Sequence, residues 1–268
     1  MLAIRPTTGR HFTADTAHLC VPEARKGKRN RPIRQACRAQ RRSPGRGTRM
    51  SGTGGAAPRL PWPRWIEFLG LFVATPLVLA LALPPSAMWG MLAATTLLGI
   101  GLLFLTPGFS PRALLRGGLL RHWRFVLLYV AVTTTIALVW IWLERPSAMF
   151  SFPFYSPQSW LMVMLLYPVL SALPQELLFR TLYFRRYGHL IPHGGTGIVV
   201  NGVIFSAAHL MYWNLPALVL TFLGGCIYAW AYERRGSFPL ALALHALGGQ
   251  IMFTTGMGTY FYHGAVPT

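Results

Sequence analysis

Residues 174–188 read PQELLFRTLYFRRYG. A carboxylate, Glu176, and a guanidinium, Arg180, stand four residues apart inside an apolar run. In a soluble helix that spacing puts both on one face and lets them neutralise each other. The same pair set in lipid carries more meaning. An ionisable side chain at membrane depth costs about 2.5–3.5 kcal/mol on insertion scales, so it marks a functional site by default.

Composition puts the pair in lipid. The chain has 268 residues, of which 53% are hydrophobic and 12% charged. That is too apolar and too charge-poor for an ordinary soluble domain. The windows 65–83, 86–105 and 123–143 are uncharged or nearly so. Each is long enough to cross a hydrocarbon core about 30 Å thick. Four more apolar segments follow at 159–184, 197–213, 215–232 and 238–255. The expected fold is all-α, a polytopic membrane protein of about seven transmembrane helices. Pro168 and Pro174 within the fourth predict a kink or break, tolerable where neighbours satisfy the freed carbonyls. Residues 110–124, SPRALLRGGLLRHWR, read as a short amphipathic interfacial segment. The helical domain is expected over 61–268.

The net charge of +19 belongs mostly to the N-terminus. Residues 1–64 hold 15 Lys and Arg against Asp15 and Glu23. Residues 24–49 have no helical or strand period, and 1–60 read as a disordered basic tail. A lipid-attracted cytosolic tail fits this better than a nucleic-acid arm, and no nucleic-acid partner is expected. A start at Met50 is a third reading. Arg112, Arg116, Arg121 and Arg124, then Arg185 and Arg186, then Arg234 and Arg235 mark the basic loops. All fall on one side if the N-terminus is cytosolic in a cytoplasmic membrane. Cys20, Cys37 and Cys226 form no C-x-x-C pair, so neither a disulfide framework nor a thiolate zinc site is indicated.

Of six acidic residues, only Glu176 lies well inside an apolar segment. His209 in FSAAHL and His245 in LALHAL share that status. At about 1.5 Å per helical residue, the three lie ~14, ~18 and ~13 Å from their cytosolic boundaries. One carboxylate and two imidazoles thus reach similar depth on three helices. Such a trio suits water activation, because a carboxylate in a low dielectric is a better base and imidazoles orient water or stabilise an oxyanion. The same three could ligate zinc instead. A lone membrane histidine is more often a helix–helix hydrogen-bonding residue. Three convergent groups weigh against that reading.

These motifs resemble the CAAX protease and bacteriocin-processing family, also called the Abi family, of intramembrane endopeptidases. The resemblance covers residues 159–255. The family's first motif is Glu-Glu-x-x-x-Arg after a proline, with an aromatic before the Arg; Pro174, Glu176, Phe179 and Arg180 match it. Phe205 through His209 match the second motif in full. The third is His-x-x-x-Asn or Asp; His245 matches, Gly249 stands where the amide or acid belongs, and Gln250 follows. Gln175 replaces the first glutamate, the one to which the family's mechanism assigns water activation. The resemblance implies an endopeptidase acting on a membrane-anchored peptide or protein tail in the bilayer, without an obligatory cofactor. Glu176, His209 and His245 would be catalytic, with Gln175, Arg180, Phe205 and Gln250 in support. Gln175 and Gly249 keep open an inactive member serving as scaffold or immunity protein. A small transporter is disfavoured by the absence of repeat symmetry. The Arg- and Ala-rich, Lys-poor composition points to a high-GC bacterial genome and argues against prenyl-tail processing. In the tail 258–268, Tyr260, Phe261 and Tyr262 read as an interfacial aromatic belt on the outer face.

Overall fold

The computed structural model describes residues 62–261. The basic tail, the question of Met50 and residues 262–268 lie outside the described residues. Among the described residues every regular element is helical. Among these residues seven helices are long and apolar enough to cross a membrane. They are α1 (Trp62–Leu81), α2 (Pro85–Phe104), α3 (Trp123–Glu144), α4 (Pro157–Tyr187), α5 (Gly194–Ala207, extended by a turn to Tyr212), α6 (Leu215–Glu233) and α7 (Phe238–Thr255).

The hydrophobicity that selects these segments does not say which is central, because lipid and protein interior are equally apolar. Burial does. Half of α7 is buried, against 11% of α2. α7 packs on α3, α4 and α6, and α5 lies along α6. The α5–α6 contact is close because glycines face each other. A Cβ on Gly225 would sit 3.1 Å from the Cα of Gly202. Small residues at such crossings let backbones approach without side chains between them.

The prolines of α4 neither break nor end it. The helix continues to Tyr187 and widens into π-helical turns at Pro168–Ala172 and Leu177–Leu182. Pro168 has no N–H to give the carbonyl of Met164, four residues back. Gln250 on α7 takes that place, its Nε2 donating to Met164 O at 2.8 Å. The freed backbone acceptor is thus satisfied by a neighbouring helix, as a membrane interior requires.

The basic segment 110–124 makes two short 3-10 turns, Pro111–Leu115 and Leu119–His122, broken by Gly117 and Gly118 in positive φ. Gly117 packs so closely on Gly236 and Ser237 that a side chain there would collide with backbone. Of the expected aromatic belt, Tyr260 and Phe261 lie within the described residues. Gly256, at φ 102°, turns the chain after α7. Met257 and Gly258 are buried, and Phe261 reaches the central cavities.

At the basic end, Arg186 of α4 holds Glu67 of α1 through two bonds, 2.7 and 2.9 Å. Its NH1 also donates to Leu102 O and Thr106 Oγ1 at the end of α2. This clamp ties α1 and α2 to the helix bearing the 174–188 stretch.

Gln250→Leu should strand the Met164 carbonyl and lower stability by about 1–3 kcal/mol, the cost of an unsatisfied buried polar group. Thermal unfolding in detergent checks this.

Candidate active site

α4 supplies two neighbouring side chains to opposite surroundings. Successive helical residues differ by about 100° in direction. Glu176 turns into the protein and is fully buried. Gln175 turns into open space and lines two cavities. Its Nε2 donates to Ser171 Oγ at 3.0 Å, and its Oε1 has no hydrogen-bond partner among the described residues.

Glu176 spends both oxygens on protein groups. Oε2 is 3.2 Å from Arg180 Nε, and Oε1 is 2.8 Å from His245 Nδ1. Arg180 is fully buried as well. Its NH1 donates to Asn201 Oδ1 at 2.8 Å. Asn201 in turn donates to Phe179 O at 2.7 Å, which fixes the amide orientation. The rest of the guanidinium lies over the ring of Phe205, 4.7 Å from its centroid, and 5.6 Å from that of Tyr228. Aromatic faces attract a cation where no further acceptor is at hand. α4, α5, α6 and α7 thus meet on one buried charge pair.

The hydrogen bonds assign the histidine tautomers. A carboxylate only accepts, so His245 Nδ1 must carry the proton it shares with Glu176. The backbone carbonyl of Phe205 also only accepts; it lies 2.8 Å from His209 Nδ1, which must likewise be protonated. In each neutral ring Nε2 is then the lone-pair nitrogen. Neither Nε2 has a hydrogen-bond partner among the described residues, and both rings line the same cavity of about 380 Å³. Phe205 separates and holds them, 4.8 Å from the His209 ring and 5.4 Å from that of His245. Tyr228 stacks flat on His245 at 4.9 Å and 10°.

A second cavity, about 500 Å³, is walled partly by α1 and α2. The two share Tyr167, Ser171, Gln175, His209 and Tyr212 along their common wall. No Asp or Glu among the described residues lines either one.

The structure therefore brings Glu176, Arg180, Phe205 and His245 into contact and puts His209 on the same cavity. It leaves Glu176 behind His245 rather than on the wall. Gln250 is engaged with Met164, so it does not stand in for the missing third-motif side chain. Glu176 is engaged by Arg180 and His245, and among the described residues no three His, Cys, Asp or Glu side chains gather to hold a metal.

Sequence reasoning missed Asn201 and Tyr167. The sequence does carry a signal for Asn201: an amide in the apolar run GIVVNGVIF is costly unless bonded. Asparagine bears no charge, so a search for ionisable groups does not reach it. For Tyr167 no local signal exists, since a tyrosine beside aliphatic residues reads as packing.

Arg180→Ala should cost about 3–5 kcal/mol, because it leaves Glu176 as an uncompensated buried charge. Arg180→Lys should recover little, since a single ammonium cannot reproduce the planar fork. Denaturation of the purified variants in detergent measures both.

No curated protein and no solved structure gives a significant match to the chain. Residues 157–248 match the family model described as Type II CAAX prenyl endopeptidase Rce1-like. That span runs from the start of α4 through His245 and contains every group just described from Tyr167 to His245. Over this core the chain is similar to the CAAX protease and bacteriocin-processing family, and the matched span holds Glu176–Arg180, Phe205–His209 and His245.

Proposed function

We propose that this protein is an intramembrane endopeptidase that hydrolyses a membrane-associated peptide or protein tail. Its water would be activated by a carboxylate–imidazole pair. The observation that carries the reading is the 2.8 Å contact between Glu176 Oε1 and His245 Nδ1, with the opposite ring nitrogen free and His245 on a cavity wall. Glu176 is then a positioning residue. It holds one tautomer of His245 and stabilises the imidazolium that forms, the logic of an acid–histidine pair in acyl-transfer enzymes.

A cavity water gives one proton to His245 Nε2 as its oxygen bonds to the scissile carbonyl carbon. The imidazolium returns that proton to the departing amine nitrogen as the C–N bond breaks. His209 Nε2 accepts from the same water's second O–H and aims its lone pair. Arg180 pairs with the other oxygen of Glu176. The largely apolar cavity excludes bulk water, which strengthens these contacts. The substrate enters from the lipid, and the basic loops support a cytosolic N-terminus in the cytoplasmic membrane.

A second reading has one specific observation in its favour. Gln175 stands at the position that holds glutamate in the family's first motif, it faces both cavities, and an amide takes no proton at neutral pH. On that reading the chain is an inactive scaffold or immunity protein of the same fold.

The test uses purified protein in liposomes with a library of lipid-anchored, quenched-fluorescent peptides. The expected result is cleavage by the wild type. His245→Ala should lower kcat about 10²–10⁴-fold, the usual worth of a general base, with normal unfolding behaviour. Wild-type rates in His245→Ala would refute the role. An inert wild type that gains activity only as Gln175→Glu would establish the second reading.

A further inference from the structure

Hydrolysis at this cavity needs a donor for the oxyanion, and the two histidines do not supply one in the resting state. Both present lone pairs from Nε2 once their Nδ1 protons are committed. The third motif's amide or acid is absent, since residue 249 is glycine. Gln175 gives its amide protons toward Ser171 and shows an oxygen elsewhere. Neither the two histidines nor Gln175 thus offers a donor to the cavity.

The space beside Gly249 is not vacant. A Cβ built there would run into Cζ, Cε1 and the hydroxyl of Tyr167. The phenol of Tyr167 thus occupies the volume that a longer side chain at 249 would fill. Its ring sits edge-on to His245, 6.1 Å between centroids, and a second edge contact to Phe253 at 5.8 Å wedges it in place. Tyr167 lines both cavities, on the wall they share.

The neighbouring glycine follows the same pattern. A Cβ on Gly248 would press on the hydroxyls of Tyr129 and Tyr228. Those two hydroxyls bond each other at 3.0 Å, so that pair is internally satisfied. One turn after His245, α7 thus carries no side chain at 248 or 249, and phenols from other helices fill the space.

We propose that the Tyr167 hydroxyl is the oxyanion donor of this site, replacing from α4 the polar side chain that α7 lacks at Gly249. This rests on the hydrolase reading above. Tyr167, Ser171 and Gln175 recur at four-residue spacing along one face of α4. Gln175 Nε2 donates to Ser171 Oγ, and the Tyr167 phenol lies on the same cavity wall, where its O–H would point at the substrate carbonyl. The carbonyl oxygen gains charge as water adds, and a fixed O–H aimed at it stabilises the transition state more than the ground state.

The experiment combines the liposome cleavage assay with thermal unfolding. Tyr167→Phe keeps the ring and removes only the donor. The expected result is a kcat lowered about 10²–10³-fold with KM little changed, the loss seen when one oxyanion donor is removed. Tyr167→Ala should be comparably slow, and Tyr167→Ala combined with Gly249→Asn should recover part of the rate. Tyr167→Ala with Gly249→Leu should not. A purely packing role would leave Tyr167→Phe at the wild-type rate, and that result overturns this inference alone. A wild type that cleaves nothing overturns both this inference and the hydrolase reading. Unfolding tests the geometry without any substrate: Gly249→Ala should lower Tm in the wild type but not beside Tyr167→Ala. Equal loss in both backgrounds would show that Tyr167 does not fill the space at 249.

Discussion

A fully buried carboxylate facing a fully buried guanidinium is the constraint on which the rest of this structure depends. Neither Glu176 nor Arg180 could stay charged in lipid alone. Their mutual attraction offsets only part of the desolvation. The remainder comes from Asn201, from His245 and from the ring faces of Phe205 and Tyr228. Those partners lie on three further helices, α5, α6 and α7. Satisfying one ion pair therefore fixes how four spans are arranged. A buried pair of this kind is weak evidence for stability in itself and stronger evidence for a specified arrangement.

The arrangement has a chemical consequence. Because Glu176 is paired on both oxygens, it acts on the cavity only through His245. The carboxylate sets the imidazole's tautomer, and the imidazole presents a lone pair to the cavity where, on the proposed mechanism, water and substrate would meet. His209 reaches the same state by a simpler route, since a backbone carbonyl sets its tautomer. Its position at the end of α5, where the helix gives way to a turn at Leu210–Tyr212, brings it to the wall shared by the two cavities.

Much of this was legible in the sequence. The seven spans follow from apolar windows whose length matches a bilayer. Glu176, His209 and His245 stand out because charge and imidazole are expensive at that depth. What sequence could not supply was direction. Residues 175 and 176 are adjacent, yet one faces a cavity and the other an arginine. That difference is rotational, and the π turns on either side of 173–176 make an ideal helical wheel unreliable there. Gln250 shows the same limit. Its place next to the motif position invites a supporting role at the site, but the amide is engaged by the carbonyl that Pro168 leaves without a donor. The partnership of Tyr167 with Gly249 joins residues from α4 and α7, far apart in the chain, and only the packed structure puts them together.

The central claim is that Glu176 holds His245 with its proton on Nδ1 and its lone pair on Nε2. Nitrogen NMR on protein with isotope-labelled histidine reads the tautomer directly, with His245→Gln assigning the signal. The account predicts a protonated Nδ1 and an unprotonated Nε2 for His245 in the wild type at neutral pH, with that preference lost in Glu176→Leu. A wild-type His245 protonated at Nε2 and bare at Nδ1 would contradict it.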